Sequence, residues 1–333
     1  MRAALLYGPR DVRVEEVKDP KPGDGWVRIR VEEVGICGTD KAFYRGSYRP
    51  GKLPIIPGHE ICGVVDEVGA GVPKDVTGRR VTTEINIPCG KCWFCTHGAR
   101  THCPYREVIG ITIDGGMAEH VLTTYENVHV VEPLTPAEGA FVEPLAAVIE
   151  MVKMRPPEPG SNIAVLGIGA IGLLTIQVLR LTAPNMLVAV ARAGSPKARL
   201  AKALGADAVL TADEALELAR RETREGQGFD YVVEATGSLK GLEIALGLVR
   251  PRGVVAAKST HGEPTTFNYT SLVVKEVSLV GSRCGPFPPA IKLLRTGLVR
   301  VKDLVTSTYP LLKAPEAFAK SFERGEVRVH VKP

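Results

Sequence analysis

Two rhythms of apolar and polar positions follow one another along the chain. From residue 1 to about 150, short stretches of alternating character are separated by Gly- and Pro-rich breaks. Trp26–Val34, Cys62–Val68 and His120–Leu122 read as strands, and PKPGDG, RPGKLP and IDGG as the turns between them. The N-terminus, MRAALLYGPRDVRVEE, reads as a strand leading into a turn. A helix is predicted near Pro136–Glu150, and RPPEPGSN at 155–162 marks a boundary.

Beyond that boundary the pattern changes. Short apolar runs at Asn162–Leu166, Leu187–Ala191, Ala208–Leu210, Tyr231–Ala235, Gly253–Ala257 and Ser278–Gly281 mostly alternate with helical patterns. Those helices are predicted at Ala170–Leu181, Pro196–Leu204, Ala212–Arg224 and Leu239–Leu248. Such alternation predicts a parallel sheet covered by helices on both faces, so the fold class is α/β. From about residue 285 the tail predicts helices at Pro288–Arg295 and Pro315–Glu323 and a last strand at Val327–Val331. The chain has no internal repeat and no low-complexity tract.

Composition narrows the class. The 333 residues suggest about two domains, and 44% hydrophobic with 24% charged residues suits a globular protein with a substantial core. Net charge is +5, but no Lys/Arg run of the kind that binds nucleic acid is present, so no nucleic-acid partner is expected. No apolar stretch reaches the length of a membrane span, and the N-terminus has no signal-peptide core. Seven cysteines, four of them clustered, point to metal binding in a reducing, cytoplasmic compartment. Two Gln and five Asn against 25 Pro is a bias found in heat-loving organisms, and a skewed genome produces the same bias.

Cys89, Cys92, Cys95 and Cys103 form a C-x2-C-x2-C-x7-C run, in which short spacers let one loop wrap an ion with four thiolates. Disulfides fit poorly, because adjacent C-x2-C pairs would close strained loops. An iron–sulfur pattern comes closer and is favoured by Pro104 after Cys103, but its last spacer is shorter than seven. Structural zinc is the preferred reading.

Gly167-Ile168-Gly169-Ala170-Ile171-Gly172 is a G-x-G-x-x-G run directly between a predicted strand and a predicted helix. In that context Gly167 makes the tight turn, Gly169 lets a pyrophosphate approach the backbone and Gly172 lets the helix pack on the strand. The second strand lacks the terminal carboxylate that would take the ribose 2′-hydroxyl. No acid occurs from Pro159 to Ala206, while Arg180, Arg192, Lys197, Arg199 and Lys202 are basic. The expectation is NADP favoured over NAD, with Arg192 holding the 2′-phosphate and Ser195 or Lys197 as substitutes. Arg199 and Lys202 are read as the exposed face of a helix. Thr236 and Gly237, after YVVEA, are candidates to pass near the nicotinamide.

Cys37 in GICGTD, His59 in PGHE and Glu143 in FVEPL offer a thiolate, an imidazole and a carboxylate, a donor set suited to a catalytic zinc with one open position. Taken in order, GxCGTD, PGHExxGxV, the cysteine run, EPLA and GxGxxG resemble the zinc-dependent medium-chain alcohol and polyol dehydrogenases over nearly the whole chain. The sorbitol, threonine and glucose dehydrogenase-like branch is the nearest in pattern, because it places Glu where Glu143 stands.

That resemblance implies a GroES-like β-barrel catalytic domain formed by residues 1–152 and 285–333, with two zinc sites. It implies a Rossmann doubly wound parallel-sheet domain at 153–284 and an active site in the cleft between the two. It also implies Cys37, His59 and Glu143 as catalytic zinc ligands and Glu60 as a neighbouring or exchanging ligand. Asp40 would hold the other nitrogen of His59, and Thr39 would accept the alcohol proton. A homodimer or homotetramer is expected, acting on a secondary alcohol, polyol or sugar, or the matching carbonyl. Ala42 stands where many members have a relay His, Arg79 where a loop acid is usual, and Glu150 where relatives often place His.

Several further residues carry less. Phe43, Tyr44 and Tyr48 are candidates either to line the substrate site or to pack the loop. His97 and His102 read as surface residues, Cys62 as a packed strand residue, and Cys284 as near the site without a catalytic role. Two rival readings are a zinc-free quinone or enoyl reductase, opposed by the intact ligand set, and a zinc-ribbon nucleic-acid-binding or scaffold protein, opposed by the dinucleotide fingerprint.

Overall fold

The computed structural model describes residues 1–333. The chain forms two compact units: Met1–Glu143 with Phe287–Arg295 and Val305–Pro333, and Pro144–Pro286 with Thr296–Leu304. Contacts therefore draw the division at 143/144, inside a helix, rather than at the expected 152/153. In the second unit Ala147 O of this helix accepts from Lys258 Nζ at 2.9 Å. The segment 296–304 also joins the second unit: Gln177 Oε1 accepts from Arg300 N at 2.8 Å and Gln177 Nε2 donates to Arg300 O at 3.0 Å.

The first unit is built on a seven-stranded sheet. Its order runs Val305–Pro310, Arg328–Lys332, Trp26–Gly35, Glu60–Val68, Arg80–Thr83 and Val128–Val130, with His120–Thr124 also pairing to Trp26–Gly35. Inward side chains such as Ile29, Val31, Ile61, Val81 and Val331 meet Phe318 in one apolar core. The C-terminal strand Arg328–Lys332 lies inside this sheet and pairs with Gly35 and Val34. Residues 330 and 35 are thus neighbours, which joins the chain's two ends around the candidate site.

The expected helix Pro136–Glu150 is two helices, Pro136–Ala140 and Val142–Met154. Pro144 has no N–H for the carbonyl of Ala140, so the hydrogen-bond ladder is interrupted there. Thr135 caps the first piece, accepting from Glu138 N, while the Glu138 side chain reaches back to Thr135 N at 2.8 Å. The second piece starts with Glu143 in its first turn, where a carboxylate suits the helix dipole.

The second unit carries six parallel strands: β1 (Asn162–Leu166), β2 (Met186–Val190), β3 (Ala208–Leu210), β4 (Phe229–Glu234), β5 (Val249–Ala257) and β6 (Ser278–Gly281). Their spatial order is β3-β2-β1-β4-β5-β6, the doubly wound arrangement whose ligand crevice lies where the order reverses. That point is between β1 and β4, where Leu166 is level with Val190 on one side and Glu234 on the other. Ala164, Val188, Val232 and Val255 form the core beneath the helices. No helix of the chain is long and apolar enough to cross a membrane.

Candidate metal and cofactor sites

The cysteine run closes on itself. The sulfurs of Cys89, Cys92, Cys95 and Cys103 all lie within 4.8 Å of one another. Cys92 Sγ is 3.4 Å from Cys95 Sγ and 3.7 Å from Cys103 Sγ. A tetrahedron with zinc–sulfur bonds of ~2.3 Å has edges of ~3.8 Å, so the donor set fits one ion. None of the seven cysteines is joined in a disulfide. Hydrogen bonds from backbone N–H groups of Lys91 and Cys92, with those from Cys103 and Cys92 thiols, outweigh burial and lower the Cys89 thiol to about 6. Burial, with the neighbouring thiols, pushes Cys95 up to about 12. His97 and His102 stand outside the sulfur cluster; His97 stacks on exposed Trp93 at 4.4 Å between ring centres.

Cys37 and His59 come together in the first unit. Cys37 is the N-cap of helix Gly38–Arg45, and its sulfur lies near enough to the His59 imidazole to act on its charge. His59 is buried, and its Nδ1 has no hydrogen-bond partner. Burial alone would lower the imidazole pKa, but the charges of Cys37, Asp40 and Glu143 together raise it well above the ordinary range. Glu143 is buried as well. Thr39 is half-buried on the first turn after Cys37.

Asp40 departs from its expected role. Its Oδ1 lies 3.9 Å from His59 Nδ1, too far for a hydrogen bond. Its oxygens are engaged by the backbone instead: Oδ2 accepts from Cys37 N at 2.8 Å and Oδ1 from Gly58 N at 3.1 Å. Asp40 thus ties together the segments that carry Cys37 and His59. Burial pushes its carboxyl up, an effect opposed by His59 and by the two N–H groups.

Glu60 faces a residue that sequence reasoning missed. Arg328 Nη2 lies 3.2 Å from Glu60 Oε1, and both side chains are buried. The contact is close but off-axis, so Oε1 counts as an ion-pair partner without a hydrogen bond. Burial would lower the guanidinium pKa, but Glu60, Cys37, Glu143 and Asp40 outweigh it and hold it up. Around His59, then, Cys37, Asp40, Glu60 and Glu143 supply more negative charge than Arg328 balances. Buried carboxylates and a half-buried thiol beside an unpartnered imidazole nitrogen are a donor set of the kind that suits a divalent cation, but only the cysteine quartet has its donor atoms already gathered within 4.8 Å of one another.

In the second unit, Gly167 has φ +91°, which only glycine adopts without strain. A side chain there would also collide with Ala235 and Thr236. Gly167 N donates to Val190 O at 2.9 Å, which fastens the fingerprint turn to the end of β2. Gly169 is the N-cap of helix Ala170–Arg180, whose first turn holds Ala170, Ile171 and Gly172. A Cβ on Gly172 would collide with Gly167 O, so the helix sits tight on the turn. Past the end of β2, Arg192 is exposed, while Ser195 and Lys197 are half-buried. The Arg192 side chain makes no ion pair within the chain. Thr236 follows β4, its hydroxyl donating to Glu234 Oε1 at 2.6 Å. These residues fit a dinucleotide: N–H groups at a helix start for the pyrophosphate and cationic side chains near the adenine ribose.

A unit built on a seven-stranded sheet with Cys and His side chains suited to a metal, and a doubly wound unit with a glycine fingerprint, point to a metal-dependent, nucleotide-using oxidoreductase. Comparison with known proteins gives the family. Residues 23–133 match the alcohol dehydrogenase GroES-like domain and residues 170–296 the zinc-binding dehydrogenase domain. A D-arabitol-phosphate dehydrogenase of Enterococcus avium is 33% identical over 96% of this chain and 92% of its own. Among solved structures, a zinc-binding dehydrogenase of Sinorhizobium meliloti bound to NADP superposes with TM-score 0.90 at 31% identity, covering 100% of this chain and 99% of that one. An alcohol dehydrogenase of Escherichia coli CFT073 complexed with NADH superposes with TM-score 0.90 at 27% identity and the same coverage. The chain belongs to the zinc-type medium-chain alcohol and polyol dehydrogenase family, and it is an oxidoreductase. The zinc-ribbon nucleic-acid-binding reading is thereby set aside.

Proposed function

We propose that this chain is a two-zinc, NADP(H)-preferring dehydrogenase of secondary alcohols, polyols or sugars. The observation that carries the reading is buried His59 beside half-buried Cys37, amid the anionic side chains of Glu143, Glu60 and Asp40. In this reading Cys37, His59 and Glu143 hold the catalytic zinc, and the Cys89–Cys92–Cys95–Cys103 quartet holds the structural one. Zinc would supply Lewis-acid polarisation of an alcohol or carbonyl oxygen, and the nicotinamide the hydride acceptor or donor.

The protein's residues do the rest. Asp40 fixes the backbone on both sides of the site, so that Cys37 and His59 keep their spacing. Arg328 balances Glu60, which stays near the site as a carboxylate able to exchange partners. Thr39 Oγ1 takes up the alcohol proton. Ala42 has no group to relay it further, so its way out would be through water. Arg192, with Ser195 and Lys197, would hold a 2′-phosphate.

The polyol substrate class is supported by the D-arabitol-phosphate relative and by Glu143 in the ligand set. Solved relatives carry NADP in one case and NADH in another, so the NADP preference rests on the basic β2 end. Assembly as a homodimer or homotetramer is supported by the free edge of β6, where Leu279 is exposed, and by exposed Tyr269, Val273 and Val274 on the preceding helix. A four-cysteine cluster suited to zinc favours a reducing, cytoplasmic setting. The deciding experiment is a screen of NADP+ and NAD+ reduction over alcohols, polyols, polyol phosphates, aldoses and amino alcohols, with zinc measured in the same protein. No reduction with any of these classes, or full activity in metal-free protein, defeats the reading.

A further inference from the structure

We propose that Glu234 is a positioning residue for the dinucleotide: its buried carboxylate fixes the Ala235–Gly237 loop against the glycine fingerprint. The inference rests on the reading of the second unit as the dinucleotide-binding one.

Glu234 is the last residue of β4 and only 4% exposed. The positions before it, Tyr231, Val232 and Val233, are buried apolar residues, and another valine would fill the strand without desolvating a charge. The carboxylate has a different occupation. Its Oε1 accepts three hydrogen bonds, from Thr236 N at 2.9 Å, Thr236 Oγ1 at 2.6 Å and Ser259 Oγ at 2.8 Å. The pattern then spreads outward. Ser259 Oγ accepts from Gly237 N at 2.8 Å, and Thr236 Oγ1 from Ser238 N at 3.1 Å. One buried oxygen therefore orders three successive residues, 236–238, and joins them to the segment after β5.

That loop presses on the fingerprint. A Cβ at Gly167 would meet Thr236 Cα at 2.9 Å, so backbone lies on backbone with no side chain between. From the other side, a Cβ at Gly241 would collide with Glu234 Oε1 and Thr236 Oγ1, so helix Gly241–Leu248 also seats on this pair. Ala235 N donates to Leu166 O at 2.9 Å, just before Gly167. The carboxylate, the loop and the fingerprint turn thus form one contiguous contact at the point where the strand order reverses. Loosening the first frees the last.

Glu234→Gln keeps the shape and removes the charge that strengthens three hydrogen bonds. Three quantities are measured on the intact protein: the NADP+ dissociation constant by calorimetry, kcat at saturating cofactor, and amide hydrogen exchange. The expected result is a dissociation constant raised about tenfold, the loss of one charge-assisted interaction. The kcat at saturation should stay within about threefold. Exchange should quicken at Thr236 and Gly237 while β1 and β4 amides keep their protection. A dissociation constant within twofold of wild type, or exchange quickened equally across the whole sheet, overturns the proposal. Should Glu234→Gln fail to fold, Ser259→Ala is read the same way, since it removes a donor to Glu234 and the acceptor of Gly237 N. Wild type that binds neither NADP+ nor NAD+ defeats the underlying reading instead, which keeps the two failures apart.

Discussion

Arg328 and Glu60 form a buried ion pair, Nη2 to Oε1 at 3.2 Å, between the C-terminal strand and the strand that begins one residue after His59. Arg328 Nη1 also donates to Ile36 O at 2.7 Å, next to Cys37. The far end of the chain thus reaches the candidate metal site and balances part of its negative charge.

Removing one partner of such a pair leaves the other buried and uncompensated, at a cost of about 3–5 kcal/mol. Arg328→Met should therefore lower unfolding free energy by roughly that amount, and adding Glu60→Gln should recover part of it. Urea unfolding of the two variants and wild type decides. A single-variant loss below about 1 kcal/mol would mean that Glu60 relaxes to water.

The quartet and the fingerprint were legible because each is local: their residues sit within one loop or one turn, and spacing alone brings them together. Arg328 was not legible. In RVHVK the alternation suggests Val329 and Val331 inward with Arg328 and His330 outward, yet all four are buried because the second face is covered too, with Phe141 and Glu33 against His330 and Glu60 against Arg328. Only the pairing of residues near 330 with residues near 35 reveals the site they enclose, a contact across almost the whole chain. The motif resemblance implies that Asp40 holds His59. In the structure its oxygens are drawn to backbone N–H groups, a competition that spacing does not register.

Loss of one sulfur from the quartet should act on stability before rate. Cys92→Ser is expected to carry one zinc rather than two and to unfold at a temperature lower by about 10 °C, since structural zinc contributes several kcal/mol to folding. Turnover at moderate temperature should remain close to wild type. Elemental analysis and scanning calorimetry test this; unchanged metal content and melting temperature would remove the structural role.

Cys62 makes stability depend on alkaline pH. Burial pushes its thiol from 9.0 up to about 12, and nearby Glu32 adds to the effect. The folded state therefore holds a proton that the unfolded state releases above about pH 9. Stability from this group is full below pH 9 and declines as pH rises toward 12. At pH 10.5 the loss is about 2 kcal/mol, from 1.36 kcal/mol per pH unit above the unfolded pKa. Cys62→Ala should be less stable than wild type at pH 8 but should lose about 2 kcal/mol less between pH 8 and 10.5. Parallel pH profiles for the two proteins would contradict it.

Thr39 is tested by paired substitutions. Thr39→Val keeps the side-chain shape and removes the hydroxyl, so kcat should fall by about 10²–10⁴ with zinc content unchanged. Thr39→Ser retains the hydroxyl and should stay within about tenfold of wild type. Near-normal turnover in the valine variant would exclude Thr39 as proton acceptor.

Cofactor choice turns on Arg192. It lies just past β2, exposed and with no ion pair of its own, in a stretch from 159 to 206 that contains no acidic residue. An NAD site needs an acceptor for the ribose hydroxyls at this point; that acceptor would repel a 2′-phosphate, which a guanidinium attracts. A charge-assisted hydrogen bond contributes about 1.5–3 kcal/mol, or roughly one to two decades of affinity. Arg192→Asp replaces attraction with repulsion, so kcat/KM for NADP+ should fall by at least about tenfold, while that for NAD+ changes little or improves. Lys197→Ala should weaken NADP+ less, because Lys197 lies on the following helical turn and Arg192 remains. The phosphate contact also predicts a steeper salt dependence for NADP+ than for NAD+ in wild type, a difference that Arg192→Asp should abolish. Wild type preferring NAD+, or a variant losing both cofactors equally, would place the 2′-phosphate elsewhere.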